Sequence, residues 1–340
     1  MNKDQAPEKY ATIGKDMKSN IYIKLIACLC GVLTSTALIA QSYPNKAITL
    51  IVPFPPGGAT DILARALSES LPAKLGQPVI VENKPGGSTI IGVMSSLRAP
   101  PDGYTALVSA NSSFTVLPAL KSNLPYDIEK DLYPINLSVS TPLVVVTSVN
   151  KPYTKLSELI TEAKAKPKSL RYSSYGPGTS PHLASEIFAS AAQIDVEQVP
   201  YKGSSDSIFA IMRGDVDFGL ETIPAAIAQI KAGKLRALAV TSLTRSRFLP
   251  DTPALDELNL TSARYLTFYG VAISSSVPKP ITSKLAKAIS DVMNTPEVRE
   301  KMAIQSLDVV NEGPEAMAAF INSDIARFKA LNKRLNIQLE

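Results

Sequence analysis

Short apolar runs in this chain alternate with stretches whose apolar residues recur every three or four positions. Residues 47–52 are rich in β-branched and aliphatic side chains and predict a strand. In residues 60–71, Ile62, Leu63, Ala66 and Leu67 fall on one helical face. Residues 78–82 form the next strand-like run, and a Gly86-Gly87 turn leads to a helix carrying Ile90, Ile91, Met94 and Leu97. Pro100-Pro101-Asp102-Gly103 is a turn, because Pro fixes φ and Gly accepts positive φ, and strand 104–108 follows. The theme repeats with a helix near 156–165, a strand at 170–174 and a helix at 180–191. Strand 196–201, helix 205–212, strand 216–220, helix 224–232 and strand 235–241 continue it. Such repetition predicts an α/β protein with parallel sheets covered by helices.

Two apolar runs, 143–147 and 267–273, each follow a long irregular stretch and read as crossings between two lobes. Beyond the second the chain is nearly all helix, over 280–293, 296–304 and 314–335. In the last of these Met317, Phe320, Ile321, Ile325, Phe328 and Leu331 share a stripe suited to packing on a sheet. The expected organisation is lobe 1 from 43–143 plus 268–340, and lobe 2 from 144–267.

The N-terminus reads as a leader. Lys18 and Lys24 flank or precede an apolar stretch over 21–40, and polar Gln41-Ser42 follows. Residues 1–42 therefore read as a signal peptide cleaved after Ala40 or Ser42, with Met17 as an alternative start. The stretch is also just long enough for a retained anchor. Leu25-Ile26-Ala27-Cys28 resembles a lipidation site, although the apolar stretch continues well past Cys28. Both cysteines, Cys28 and Cys30, lie in this leader, so the mature chain would hold no disulfide, thiolate metal site or cysteine nucleophile. These features fit the bacterial periplasm. With 340 residues, 45% hydrophobic and 19% charged, the chain suits a soluble globular protein of two domains or one large one. A net charge of +5 without any basic run argues against nucleic-acid binding.

Two glycine-bearing loops carry the candidate chemistry. Pro53-Phe54-Pro55-Pro56-Gly57-Gly58-Ala59-Thr60-Asp61 follows the first strand, and Tyr175-Gly176-Pro177-Gly178-Thr179-Ser180-Pro181-His182 follows strand 170–174. A strand-to-helix turn leaves backbone N–H groups unpaired at the positive end of a helix dipole and binds anions without a charged side chain. One loop in each half suggests a small carboxylate clamped between two lobes. Each residue also has a structural reading. Gly57 and Gly58 suit a tight turn, Thr60 and Asp61 suit an N-cap and first turn, and Thr179 and Ser180 suit caps. Asp61 or Glu221 would pair with the ammonium of an amino-acid ligand, whereas a bare Asp would repel a plain dicarboxylate. His182, the sole histidine, reads as an orienting hydrogen-bond donor. No Gly-Lys-Ser/Thr follows Gly58, and Gly176-Pro177-Gly178 lacks a third glycine, so neither loop is a nucleotide motif. A serine-nucleophile elbow is missing, and one histidine without cysteine makes a zinc site a poor fit.

Six ordered blocks carry a family resemblance: 43–61, Val81-Glu82-Asn83-Lys84-Pro85-Gly86-Gly87, Pro100-Pro101-Asp102-Gly103-Tyr104, 176–183, Pro200-Tyr201-Lys202-Gly203, and 230–241. From Tyr43 to about Ile337 the chain resembles the Bug family, the substrate-binding proteins of tripartite tricarboxylate transporters. The resemblance implies a type II periplasmic-binding-protein fold, with two α/β lobes, two crossover strands and a ligand in the cleft. It implies no enzymatic activity and no obligatory cofactor. The family's ligand loops map onto Phe54, Pro55, Gly57, Gly58, Thr60 and Asp61, and onto Gly176, Gly178, Thr179, Ser180 and His182. Ser109 and Asn111 match a further cleft loop, and Tyr201 with Lys202 lies near another. Glu221 stands where Asp is usual and Phe268 where Trp is usual, and both positions are expected to face the ligand. The turn Gly86-Gly87-Ser88-Thr89 is less glycine-rich than is typical.

The expected protein is thus a periplasmic monomer that captures a small organic carboxylate: a di- or tricarboxylate, an acidic amino acid or a related acid. Its expected partners are the inner-membrane permease subunits of a tripartite transporter. A ligand-presenting role toward a two-component sensor, or a periplasmic enzyme on the same lobes, are the alternatives.

Overall fold

The computed structural model describes residues 43–335 and 337. The leader, the Met17 start, Cys28 and Cys30 lie outside the described residues. The described residues form ten strands: β1 Ile48–Val52, β2 Val79–Asn83, β3 Thr105–Ala110, β4 Leu132–Ser148, β5 Arg171–Ser174, β6 Glu197–Pro200, β7 Phe218–Thr222, β8 Leu235–Val240, β9 Leu266–Ser274 and β10 Asp308–Glu312. The longer helices are α1 Ala59–Ser70, α2 Ile90–Leu97, α3 Leu156–Ala165, α4 Ser180–Ala192, α5 Ser204–Arg213, α6 Ile223–Lys231, α7 Lys279–Met293, α8 Pro296–Ile304 and α9 Pro314–Leu335.

β1 lies between β2 and β3 with both pairings parallel, as the strand–helix–strand pattern requires. Its burial on both faces follows from the helices that cover it. β9 runs antiparallel between β3 and β4. The second region of sheet is built on β5, parallel to both β6 and β7, with β7 and β8 antiparallel to β4.

β4 joins the two regions. Its first part pairs with β9 and β10, and from Leu143 onward it pairs with β7 and β8. The run 143–147 is therefore the second half of a 17-residue strand, not a short crossing after irregular chain. The first half escapes a hydrophobic pattern because Pro134, Asn136, Ser138, Ser140, Thr141 and Pro142 interrupt it. Its buried polar groups are satisfied side to side: Ser138 Oγ donates to Asn136 Oδ1 at 2.7 Å, and Asn136 Nδ2 donates to Asn311 Oδ1 at 2.9 Å. Asn311 belongs to β10, a strand not foreseen in a region read as nearly all helix. Its Asp308, Val309 and Glu312 pair with Ser140, Val139 and Leu137 across an irregular register.

The stripe on α9 packs as its period predicts. Met317, Ile321 and Ile325 join one core cluster, and Phe328 joins another beside Tyr172, Phe188 and Phe218. Close approach of α9 is possible because β9 carries Gly270. A Cβ there would lie 2.7 Å from the Asn136 carbonyl and 2.8 Å from Met317 Cε.

Candidate functional site

Four helix N-termini meet around one narrow cavity of about 30 Å³. α1 contributes Gly58, Ala59 and Thr60, α4 contributes Ser180 and Pro181, Ser204 opens α5, and Thr222 precedes α6. Ala110 at the end of β3 and Ser112 beyond it extend the wall, and Thr267 and Tyr269 close it from β9. Each helix begins where a strand-to-helix turn leaves backbone donors without intrahelical partners. Gly58, Thr179, Gly203 and Thr222 are the capping positions, and no cap side chain hydrogen-bonds to the helix it opens. The turn after Ser174 is tied down instead by Thr179 Oγ1, which donates to the Gly176 carbonyl at 2.6 Å. Ser180 N donates to Ser112 Oγ at 3.0 Å. No Lys, Arg or His lines this cavity. Helix N-termini carry partial positive charge, so an anion there would be favoured by oriented peptide dipoles.

The loops around the cavity touch one another. A Cβ on Gly58 would sit 3.3 Å from Ser204 Oγ. On Gly203 it would meet Pro55 Cδ at 2.8 Å and Cγ at 2.9 Å, and on Gly176 it would meet Ser88 Oγ at 2.9 Å. A neighbouring cavity of about 450 Å³ shares Phe54 and Tyr175 with the first and reaches Gly86–Thr89, Gly176, Thr179, Tyr201 and Lys202.

The residues singled out from sequence divide accordingly. Phe54, Pro55, Gly58, Thr60 and Ser180 line the first cavity, and Phe54, Gly176, Thr179, Tyr201 and Lys202 line the second. The others do not line either. Gly57, at φ +90°, turns the first loop and donates its N–H to Asp61 Oδ2 at 3.0 Å. Asp61 also accepts from Arg65 Nε at 2.8 Å and Asn83 Nδ2 at 3.0 Å. Burial alone would raise its pKa, but these donors, Arg65 foremost, hold it below the usual value. Asp61 is thus a buckle for its own loop. Thr60 is the second residue of α1, and the cap is Gly58.

Gly178 likewise serves its loop. Its N–H donates to His182 Nδ1 at 3.2 Å, so this nitrogen of His182 accepts, contrary to the donor role expected. Desolvation lowers the His182 pKa to about 4, which keeps the ring neutral. Ser109 Oγ and Ser113 Oγ share a hydrogen bond at 2.6 Å. Asn111 bonds to the Phe268 N–H and to Asp324. Their chain neighbours Ala110 and Ser112 are the ones that line the cavity, one position out of step with the expectation.

Phe268 also turns away. On β9 the alternation of a strand puts Thr267 and Tyr269 toward the cavity and leaves Phe268 packed on Phe320, with ring centroids 4.3 Å apart. Glu221 is fully buried behind Tyr175, whose hydroxyl donates to Glu221 Oε2 at 2.5 Å, while Ser207 Oγ donates to Oε1. Burial raises its pKa to about 7 against the pull of those two donors. Sequence reasoning missed Ser112, Ser204, Thr222, Thr267 and Tyr269 as wall residues. Period-two alternation in β9, and Gly203 or Pro224 marking helix starts, were the available signals.

Among the described residues no helix is long and apolar enough to cross a membrane. No group of three or more His, Cys, Asp or Glu is placed to hold a metal ion among them.

Residues 63–337 match the profile of the tripartite tricarboxylate transporter family receptor, TctC. BugT of Bordetella pertussis (strain Tohama I) is 32% identical over 323 residues, covering 93% of this chain and 99% of BugT. The periplasmic binding protein BugD superposes with a TM-score of 0.83 at 30% identity, covering 88% of this chain and 100% of BugD. The R. palustris protein Rpa4515, solved with adipate, gives a TM-score of 0.84 at 26% identity, covering 87% and 99%. The fold is that of the periplasmic binding proteins which the six sequence blocks resemble. With dipolar helix ends around a cavity and matches along nearly its whole described length, the chain belongs to the TctC family of tripartite tricarboxylate transporter receptors, which includes the Bug proteins.

Proposed function

We propose that this protein is an extracytoplasmic receptor that captures a small organic carboxylate and hands it to the membrane subunits of a tripartite transporter. The observation that carries the reading is the convergence of four helix N-termini on a cavity without a basic side chain. A carboxylate placed there would accept from backbone N–H groups of α1, α4, α5 and α6, with Ser and Thr hydroxyls or bridging waters completing its shell. The adipate held by the R. palustris relative supports the same ligand class.

Lobe 1, residues 43–143 with 268–340, and lobe 2, residues 144–267, would separate to admit the ligand and close over it. Contacts such as Gly58 against Ser204 and Pro55 against Gly203 would form on closure, so a ligand touching both sides favours the closed state. The closed surface would be what a permease recognises. Export through the N-terminal leader, and action as a monomer binding protein without catalysis, complete the reading.

Thermal-shift screening of the purified protein against mono-, di- and tricarboxylates tests it. A ligand at a hundredfold excess over its Kd adds about 2.7 kcal/mol. For a chain of this size that is roughly a 5 °C rise in Tm. Chemical turnover of a bound acid, or no shift with any acid, would overturn the proposal.

A further inference from the structure

A fully buried carboxyl group, that of Glu221, stands one residue behind the cavity wall. Its chain neighbour Thr222 lines the first cavity. Tyr175, whose hydroxyl donates to Glu221 Oε2 at 2.5 Å, lines both cavities. Ser207 Oγ on α5 donates to Oε1. Both donors are neutral hydroxyls, and among the described residues no cation offsets the charge and no second carboxylate opposes it. The register partner of Glu221 on β4 is apolar Val144. The titratable groups that face it are two phenols, Tyr175 from the turn after β5 and Tyr269 from β9. Burial foremost, with the charge of Glu221 adding to it, holds both phenols far above their usual range, so both stay neutral.

Burial outweighs the two hydroxyl donors and brings the Glu221 carboxyl to about 7. An acid captured in the first cavity brings a second negative charge to the wall that Thr222 and Tyr175 form. Like charges separated by a poorly solvated wall disfavour each other, so Glu221 would hold its proton more tightly beside the guest. The guest and an ionised Glu221 would also compete for one dipole, because α6 opens two residues after Glu221. Linkage is reciprocal: a guest that tightens the proton is itself tightened by that proton.

We infer that the protein captures its acid together with a proton, which moves from solvent onto the Glu221 carboxylate and leaves it as a neutral O–H. The inference rests on the carboxylate reading above and deepens it. Acid and proton bind cooperatively, and loss of either loosens the other.

Titration calorimetry tests this with malate, succinate, adipate and tricarballylate, which stay ionised between pH 7.0 and 8.5. Titrations of the tightest of them at pH 7.5, in buffers of different ionisation enthalpy, read the protons taken up on binding. If the guest moves the Glu221 carboxyl up by about one pH unit, uptake should be about half a proton per acid bound. Affinity should fall about fivefold from pH 7.0 to 8.5. Glu221→Gln keeps the shape without a titrating group, so it should bind with no buffer dependence and a level pH profile. At pH 8.5 it should bind more tightly than the natural protein. A merely structural Glu221 would instead give weaker binding in Glu221→Gln by the same factor at every pH. Binding without proton uptake in the natural protein overturns the inference, whether or not the variant folds, and leaves the carboxylate receptor intact. Uptake that persists in Glu221→Gln puts the proton on another group and overturns the assignment. If none of the four acids binds, the carboxylate reading falls and this inference falls with it.

Discussion

Burial displaces two titratable side chains in opposite directions, Glu221 upward and His182 downward. Glu221 holds its proton up to about pH 7, and His182 stays unprotonated down to about pH 4. Between roughly pH 4.5 and 6.5 their linkage effects oppose each other. In that window unfolding releases a proton from Glu221, so rising pH weakens the fold. Unfolding takes up a proton at His182, so rising pH strengthens it. Each side is worth about 3 kcal/mol over its whole range. Glu221→Gln removes one side, and its stability should therefore climb from pH 4.5 to 6.5, while the natural protein changes much less. Urea midpoints at the two pH values measure the difference, and parallel pH profiles for both proteins would show that Glu221 ionises normally. Residue types announced this poorly. Asp61 and Glu221 look in sequence like receivers for a ligand ammonium, yet local donors from Arg65, Asn83, Tyr175 and Ser207 engage them first. Those partners lie up to 46 positions away, beyond the reach of a motif.

At the scale of elements the pattern was far more legible. Helices 296–304 and 314–335 begin and end where their periodicity and prolines indicate, and most strands shift by only one or two residues. What failed was chain whose burial is polar. The first half of β4 and all of β10 depend on pairing with each other, and neither shows an apolar run of its own. The site followed the same rule. Its glycine loops were visible as turns, but Ser204, Thr222 and Thr267 join the wall only because separate elements start or alternate there. Contact between two such loops can be tested at Gly203. Its φ of 170° is extended backbone open to any residue, so an added methyl acts through space alone. Gly203→Ala would press on the Pro55 ring, at an overpacking cost of about 1–3 kcal/mol felt when the loops meet. The expected result is a roughly 5- to 150-fold weaker acid affinity with a nearly unchanged Tm for the unliganded protein. Unaltered affinity would mean that these loops stay apart in the bound form.

Over the whole molecule, a single 17-residue strand serves both regions of sheet, and the helices around them turn their positive ends inward. A receptor could instead hold an anion with arginine or lysine. That choice would make capture depend on how strongly dissolved salt screens the attraction, and small mobile anions would compete for the same charges. Peptide dipoles in a buried wall are fixed at short range and barely felt by ions outside. Affinity for the preferred acid should therefore change by less than about threefold between 0.05 and 0.5 M sodium chloride, since screening acts mainly on exposed charges. A tenfold loss across that range would point to Lys202, exposed on the adjoining cavity, as the true anchor. A compartment open to the surroundings takes on their ionic composition. A cell whose scavenger holds its catch with neutral backbone can go on feeding as that water turns from fresh to brackish.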